Sequence, residues 1–183
     1  NATVNARARN LGLTTGDRIQ FRIGDATNQT TFMNTMIGGG GAAAALNISI
    51  VPWAVGETYN AGTATTNMGN SLVTYVSGAG FRPLAFTEYN TFALAAATDN
   101  ARESLLATDL TGLSGKTINS LVLHNADAAA SLRLVSGSGA GQALAVTSGA
   151  ILFTRDVAGA GAYDITLGGF DSGITVGASN EYV

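Results

Sequence analysis

From Thr117 to Val176 the chain reads TINSLVLHNADAAASLRLVSGSGAGQALAVTSGAILFTRDVAGAGAYDITLGGFDSGITV. Six short apolar runs stand out: TINSLVL, SLRLV, ALAVT, AILFT, YDITL and ITV. Between them lie breaks such as SGSGAG, SG, AGAG and GGFDSG. Short β-branched runs cut by glycine are strands with no helix between them. The run centres Leu121, Leu144 and Ile165 form one series, and Leu132, Ile151 and Ile174 a second. Both give a spacing near twenty residues, with two or more strands per period. A fixed period of this kind is the mark of stacked repeats. The expected fold is all-β, a right-handed parallel β-helix (a β-solenoid). A two-sheet β-sandwich is the alternative, because short strands between turns suit it too.

Working outward, all 183 residues read as a single solenoid segment. Residues 1–110 are irregular and rich in loops and aromatics, and 111–183 hold the regular coils. The chain is 46% hydrophobic but only 11% charged, against roughly a quarter in an average soluble protein. Lys116 is the only lysine, and the net charge is −3, so no basic stripe exists for nucleic acid. No apolar run approaches the ~18 residues of a membrane helix. The chain has no cysteine, which excludes disulfides, thiolate metal sites and a cysteine nucleophile. The first residues, NATVNARARN, lack Met and a signal-peptide core, and the end at SNEYV is abrupt. Both read as a segment or processed product of something longer.

In the first half, residues 1–35 read as irregular strands, NATVNARARNLGL, DRIQFRIG and TTFMNT, and Ile19, Phe21 and Ile23 alternate with arginine and glutamine as in a half-buried strand. GGGGAAAA (38–45) lacks the Lys-Ser/Thr of a phosphate loop and reads as a close backbone passage. NISIVPWAVG (47–56) reads as a strand ending in a proline turn. SLVTYVSGAGFRPLAF suggests a hairpin around Gly78 and Gly80. Residues 93–110 admit the one helix, capped by Asn100 with Glu103 three residues on, Leu105 and Leu106 pointing inward. An irregular coil is the alternative there.

The order NISIVPWAVG, LVTYVSGAGFRPLAFTEY, TINSLVL, LAVTSGAILF and a glycine-rich strand run resembles the autotransporter-associated β-strand repeat proteins. These are very large bacterial surface or secreted passenger-like proteins. The resemblance spans residues 37–183, and its most specific pieces are PWAVG, GFRPLAFTEY and INSLVL…SGAIL. It implies a right-handed parallel β-helix, a location at the outer surface of a Gram-negative-type bacterium, and adhesive or structural work. It carries no catalytic residues across.

The chemistry is sparse. His124 is the only histidine, so neither a Ser/His pair nor a His-based metal site has a second imidazole. Asp99, Arg102 and Glu103 could hold two carboxylates in reach of each other for glycoside chemistry, with charge pairing on the outside of a turn the competing role. Asp156, Asp164 and Asp171 only faintly resemble a calcium-repeat turn. The motifs of pectin-degrading solenoids are missing, and the expectation is a protein that is not an enzyme and holds no cofactor and no metal. Trp53, Tyr75 and Tyr89 are candidates for an aromatic surface that stacks on glycans, with core packing the competing role. Asn1 and Asn28 lie in glycosylation sequons, as does Asn47 within an apolar run. Tyr163, Ile165, Leu167, Ile174, Val176 and Tyr182 mark an expected open strand edge. That edge would pair with residues 1–23 of a second copy, giving a head-to-tail homopolymer, or continue into further repeats of one large protein.

Overall fold

The computed structural model describes residues 3–9, 11–12, 18–20, 26–59, 70–104, 110–125, 131–137, 140–155 and 164–177. The fold is all-β, with a small helical contribution. It divides into a mixed sheet in the first half and three parallel sheets in the second.

The first half contains β1 (Val4–Arg9), α1 (Ala26–Met33), β2 (Ala54–Tyr59), β3 (Ser71–Val76) and β4 (Gly80–Pro83). β1 and β2 pair in parallel, and β2–β3 and β3–β4 are antiparallel. The expected hairpin is therefore present as β3–β4. Gly78 and Gly80 carry φ of 79° and 90°, the left-handed region its tight turn needs. One face of the mixed sheet meets Phe32 and Met33 of α1 through Ala6, Ala54, Val73, Tyr75 and Phe81. On its other side Val55, Leu72 and Leu84 pack against Val122 and Leu152 of the second half.

The second half is three triplets: β5 (Asn100–Glu103), β6 (Leu110–Leu113) and β7 (Lys116–Ile118); β8 (Ser120–Asn125), β9 (Leu132–Ser136) and β10 (Leu144–Val146); β11 (Ile151–Arg155), β12 (Ile165–Gly168) and β13 (Ile174–Val176). Each sheet takes one strand from every triplet, in the orders β5-β8-β11, β6-β9-β12 and β7-β10-β13. All of these pairings are parallel. Inward residues of the three sheets share one core: Leu121 and Leu123, Leu132 and Leu134, Leu144 and Val146, all fully buried. Each such side chain contributes roughly 1.5–3 kcal/mol on burial.

Four sequence expectations need correction. The repeat is not near twenty residues: Leu121 aligns with Ile151, Leu132 with Ile165 and Leu144 with Ile174, thirty to thirty-three residues apart. The cause is Asn119, which breaks TINSLVL into β7 and β8 on different sheets. Residues 93–104 hold no helix: Asn100 opens a strand instead of capping one, and Leu105 and Leu106 lie outside the described residues. The strand near Pro52 follows the proline and does not precede it, and Ile50 makes only an isolated bridge to Ile37. TTFMNT, expected to be extended, belongs largely to α1. Among the described residues, antiparallel pairing, which the sandwich alternative needs, occurs only among β2, β3 and β4 and in that one bridge. No helix among the described residues is long and apolar enough to cross a membrane, which says nothing of strands.

The corner between the β7-β10-β13 and β5-β8-β11 sheets is pinned by polar side chains. Asn100 Nδ2 donates to Leu46 O (3.3 Å) and Ile48 O (2.8 Å). Its Oδ1 accepts from Asn119 Nδ2 (2.8 Å) and Ser120 Oγ (2.7 Å). One triplet on, Ser148 Oγ donates to Asn119 O (2.6 Å). Gly115 marks another tight corner, where a Cβ would collide with the backbone of Ala143 in the next triplet.

Candidate functional site

The candidate site is the end of the stack formed by the third triplet. Strands β11, β12 and β13 are each the outermost strand of their sheet. Ile165 and Leu167 are half-buried, Ile174 is 40% exposed and Val176 is half-buried. Tyr163 and Tyr182, assigned to the same edge, lie outside the described residues. Phe153, in register with the buried Leu123, is 48% exposed and belongs to this surface. The pattern LVL against ILF carries that alignment, but only once the thirty-residue period is known.

The opposite end is closed by the turn at residues 90–96. Asn90 bridges to Ala101 in parallel, and Phe92 is fully buried in the stack core, its ring 6.4 Å from that of Phe170. Two charged side chains hold the Phe92 backbone. Glu103 Oε1 accepts from Phe92 N–H (2.5 Å). Lys116 Nζ donates to Phe92 O (2.5 Å), Ala93 O (2.8 Å) and Ala95 O (3.2 Å), 5.2 Å from the Phe92 ring centre. Lys116 thus supplies the carbonyls of the closing turn with the donors they would otherwise seek in water.

Glu103 is 5% exposed, and burial pushes its carboxyl above the usual range against the opposing hydrogen bond from Phe92. A raised folded value means stability that is full below the unfolded carboxylate value and is lost as pH rises through the folded one. Glu103→Gln, whose amide oxygen still accepts from Phe92, is expected to flatten that part of the profile. Melting temperatures of parent and variant between about pH 4 and 7 check this; an unchanged slope refutes it.

The aromatic candidates do not share a surface. Tyr75 is 4% exposed in the cluster beneath α1, its ring 5.0 Å from Phe32 and 5.4 Å from Phe81. Tyr89 is 8% exposed on the other side of the mixed sheet. Its hydroxyl accepts from Leu72 N–H (3.0 Å) and bonds Ser71 Oγ (3.0 Å), and burial pushes its pKa up to about 12. Trp53 is half-buried against Phe32 and Phe81, away from the end of the stack. Neither tyrosine presents an open ring face, so the three do not build a shelf for a sugar.

The remaining candidates are occupied or dispersed. Asp99 Oδ2 accepts from Ala96 N–H (3.0 Å) and Asn90 Nδ2 (3.2 Å), so Asp99 and Glu103 each serve the closing turn. Arg102 lies against the rings of Phe86 and Tyr89. His124 is buried on β8. Asp171 Oδ1 accepts from Gln142 N–H (2.7 Å), Asp164 is exposed, and Asp156 lies outside the described residues. Among the described residues no group of three His, Asp or Glu is placed to hold a metal. Asn28 is exposed on α1, and Asn1 is outside the described residues. A cleft of about 470 Å³, which no sequence motif announces, opens beside α1 between Met33, Met36, Ile48, Tyr75, Val76 and Arg82.

No family model, curated protein or solved structure matches this chain.

Proposed function

We propose that the three triplets are coils of a right-handed parallel β-helix and that the chain is a structural segment of an extracellular protein. In this reading it belongs to a surface fibre or adhesin at the outside of a Gram-negative-type bacterium. Its partners are copies of itself or further repeats of one large protein. The observation that carries the reading is the in-register parallel pairing of each strand with the strand three places on. A stack of that kind draws its stability from neighbour contacts and suits a rod or a surface better than a pocket. The low charge fits, because weak repulsion lets such bodies lie close together. The engagement of Asp99 and Glu103 with the closing turn supports a non-enzymatic role.

Antibodies raised against the purified chain, applied to intact cells that produce it, should label the outer surface in immunogold microscopy. Label confined to the cell interior overturns the reading.

A further inference from the structure

The two ends of the stack are unlike, and the difference bears on how copies meet. Register relates each inward residue of the second triplet to one of the third: Leu121 to Ile151, Leu123 to Phe153, Leu132 to Ile165, Leu134 to Leu167, Leu144 to Ile174 and Val146 to Val176. The first member of every pair is fully buried. In the third triplet Phe153 and Ile174 are 48% and 40% exposed. Among the described residues the core is thus unfinished at one end, and three strand edges stop there together, each a template for pairing.

At the other end Ala101 and Ile118 are fully buried, covered by Phe92 and Ala95 of the closing turn. Among the described residues that end therefore offers a second copy no open core cross-section. β1, the outer strand of the mixed sheet, offers one edge, but Asn5 and Arg7 are exposed on it and Arg7 is ion-paired with Glu57 (2.5 Å). The surface that matches the β11–β12–β13 end is the same end of another molecule.

We propose that two copies of this chain associate tail to tail through the β11–β12–β13 end, about a two-fold axis, and do not add head to tail. The proposal rests on the stacked-coil reading. A two-fold axis perpendicular to the stack reverses strand direction. The facing edges therefore pair antiparallel, one edge against its own copy and the other two exchanged. Such an isologous contact closes on itself and gives a dimer, where a head-to-tail contact would give a filament. The three edges are five, four and three residues long. That is well short of the roughly twenty to thirty residues a side of a standard interface, so the dimer is weak, with Kd on the order of 10–100 μM.

Sedimentation equilibrium of the full chain from about 5 μM to about 1 mM brackets that range. A monomer–dimer equilibrium with no larger species is expected, and amide exchange in β11–β13 should slow as concentration rises. Ile174→Lys and, independently, Phe153→Lys should each leave a monomer, while Leu94→Lys, 75% exposed at the closed end, should dimerise normally. A monomer at every concentration overturns the proposal, as does growth beyond the dimer. So does association lost in Leu94→Lys but kept in Ile174→Lys. Concentration-independent protection of β11–β13 would mean that the end is covered within one chain, which also refutes it. Rapid exchange throughout β8 and β11 alike would instead count against the stacked coils themselves.

Discussion

Glu88→Ala is expected to lower stability by about 3–5 kcal/mol, the range seen when one partner of a buried ion pair is removed. Glu88 is 1% exposed and accepts four hydrogen bonds. Arg82 Nη1 and Nη2 donate to its two oxygens at 2.7 and 2.8 Å. Ala85 N–H donates at 2.7 Å and Ala44 N–H at 2.8 Å. Ala44 has φ of 71°, a left-handed conformation costly for a residue with a Cβ, and the bond from Glu88 helps hold it there. Removing the carboxylate takes two bonds from Arg82, which keeps one to Pro83 O (3.0 Å), and frees the loop of glycines and alanines that crosses this face. Urea unfolding of parent and variant at pH 7 measures the loss; a difference below about 1 kcal/mol refutes the assignment. The pH dependence is opposite in sign to that of Glu103. Burial pushes the Glu88 carboxyl up, but the bonds from Arg82, Ala44 and Ala85 outweigh it and hold it below the usual value. Its contribution is present above the unfolded carboxylate range and is lost as pH falls through the lower folded value.

Asn100→Ala should cost about 2–4 kcal/mol, because three of the side chain's four bonds, to Ile48 O, Asn119 Nδ2 and Ser120 Oγ, are buried. Asn100, Asn119 and Ser120 are all essentially inaccessible. Without the amide, Asn119 Nδ2 keeps its bond to Ile37 O (3.2 Å), while Ser120 Oγ loses its acceptor. The carbonyl of Ile48 loses its donor from Asn100. Asn100→Asp is the sharper variant: it keeps the acceptor and removes the donor, burying a charge beside two carbonyls. Thermal melts should rank parent, then Ala, with Asp at or below Ala. A parent-like Asn100→Ala protein would show that the corner is held by packing alone.

The strands of the second and third triplets were legible because they are short apolar runs, most of them bounded by breaks that contain glycine, and parallel sheets demand such runs. Their grouping was not, because Asn119 looks like an ordinary polar residue inside TINSLVL. Only the three-dimensional corner reveals that it turns the chain onto another sheet. The helix expected around Asn100 failed for a related reason. Asn and Glu three residues apart satisfy a capping rule locally, but here they face the corner ladder and the closing turn, which tertiary contacts decide. Ile165, Leu167, Ile174 and Val176 stood out because their alternation survives any choice of period, and they lie on β12 and β13. Phe153 was missed because its equivalence to Leu123 depends on that period. The ring surface failed on burial: Tyr75 and Tyr89 are spaced like exposed aromatics but lie on opposite sides of one sheet.

The mixed sheet also changes how the stack would answer to force. Tension along the stacking direction loads one layer of hydrogen bonds at a time, the arrangement in which strands peel most easily. Yet Val122 of the second triplet and Leu152 of the third are seated on the same apolar patch of Val55, Leu72 and Leu84. Peeling the third triplet would have to drag Leu152 off that patch while Val122 stays behind, which adds shear of a dry contact to the breaking of each rung. The side layer is a splint, and it makes one flank of the stack stiffer than the other two.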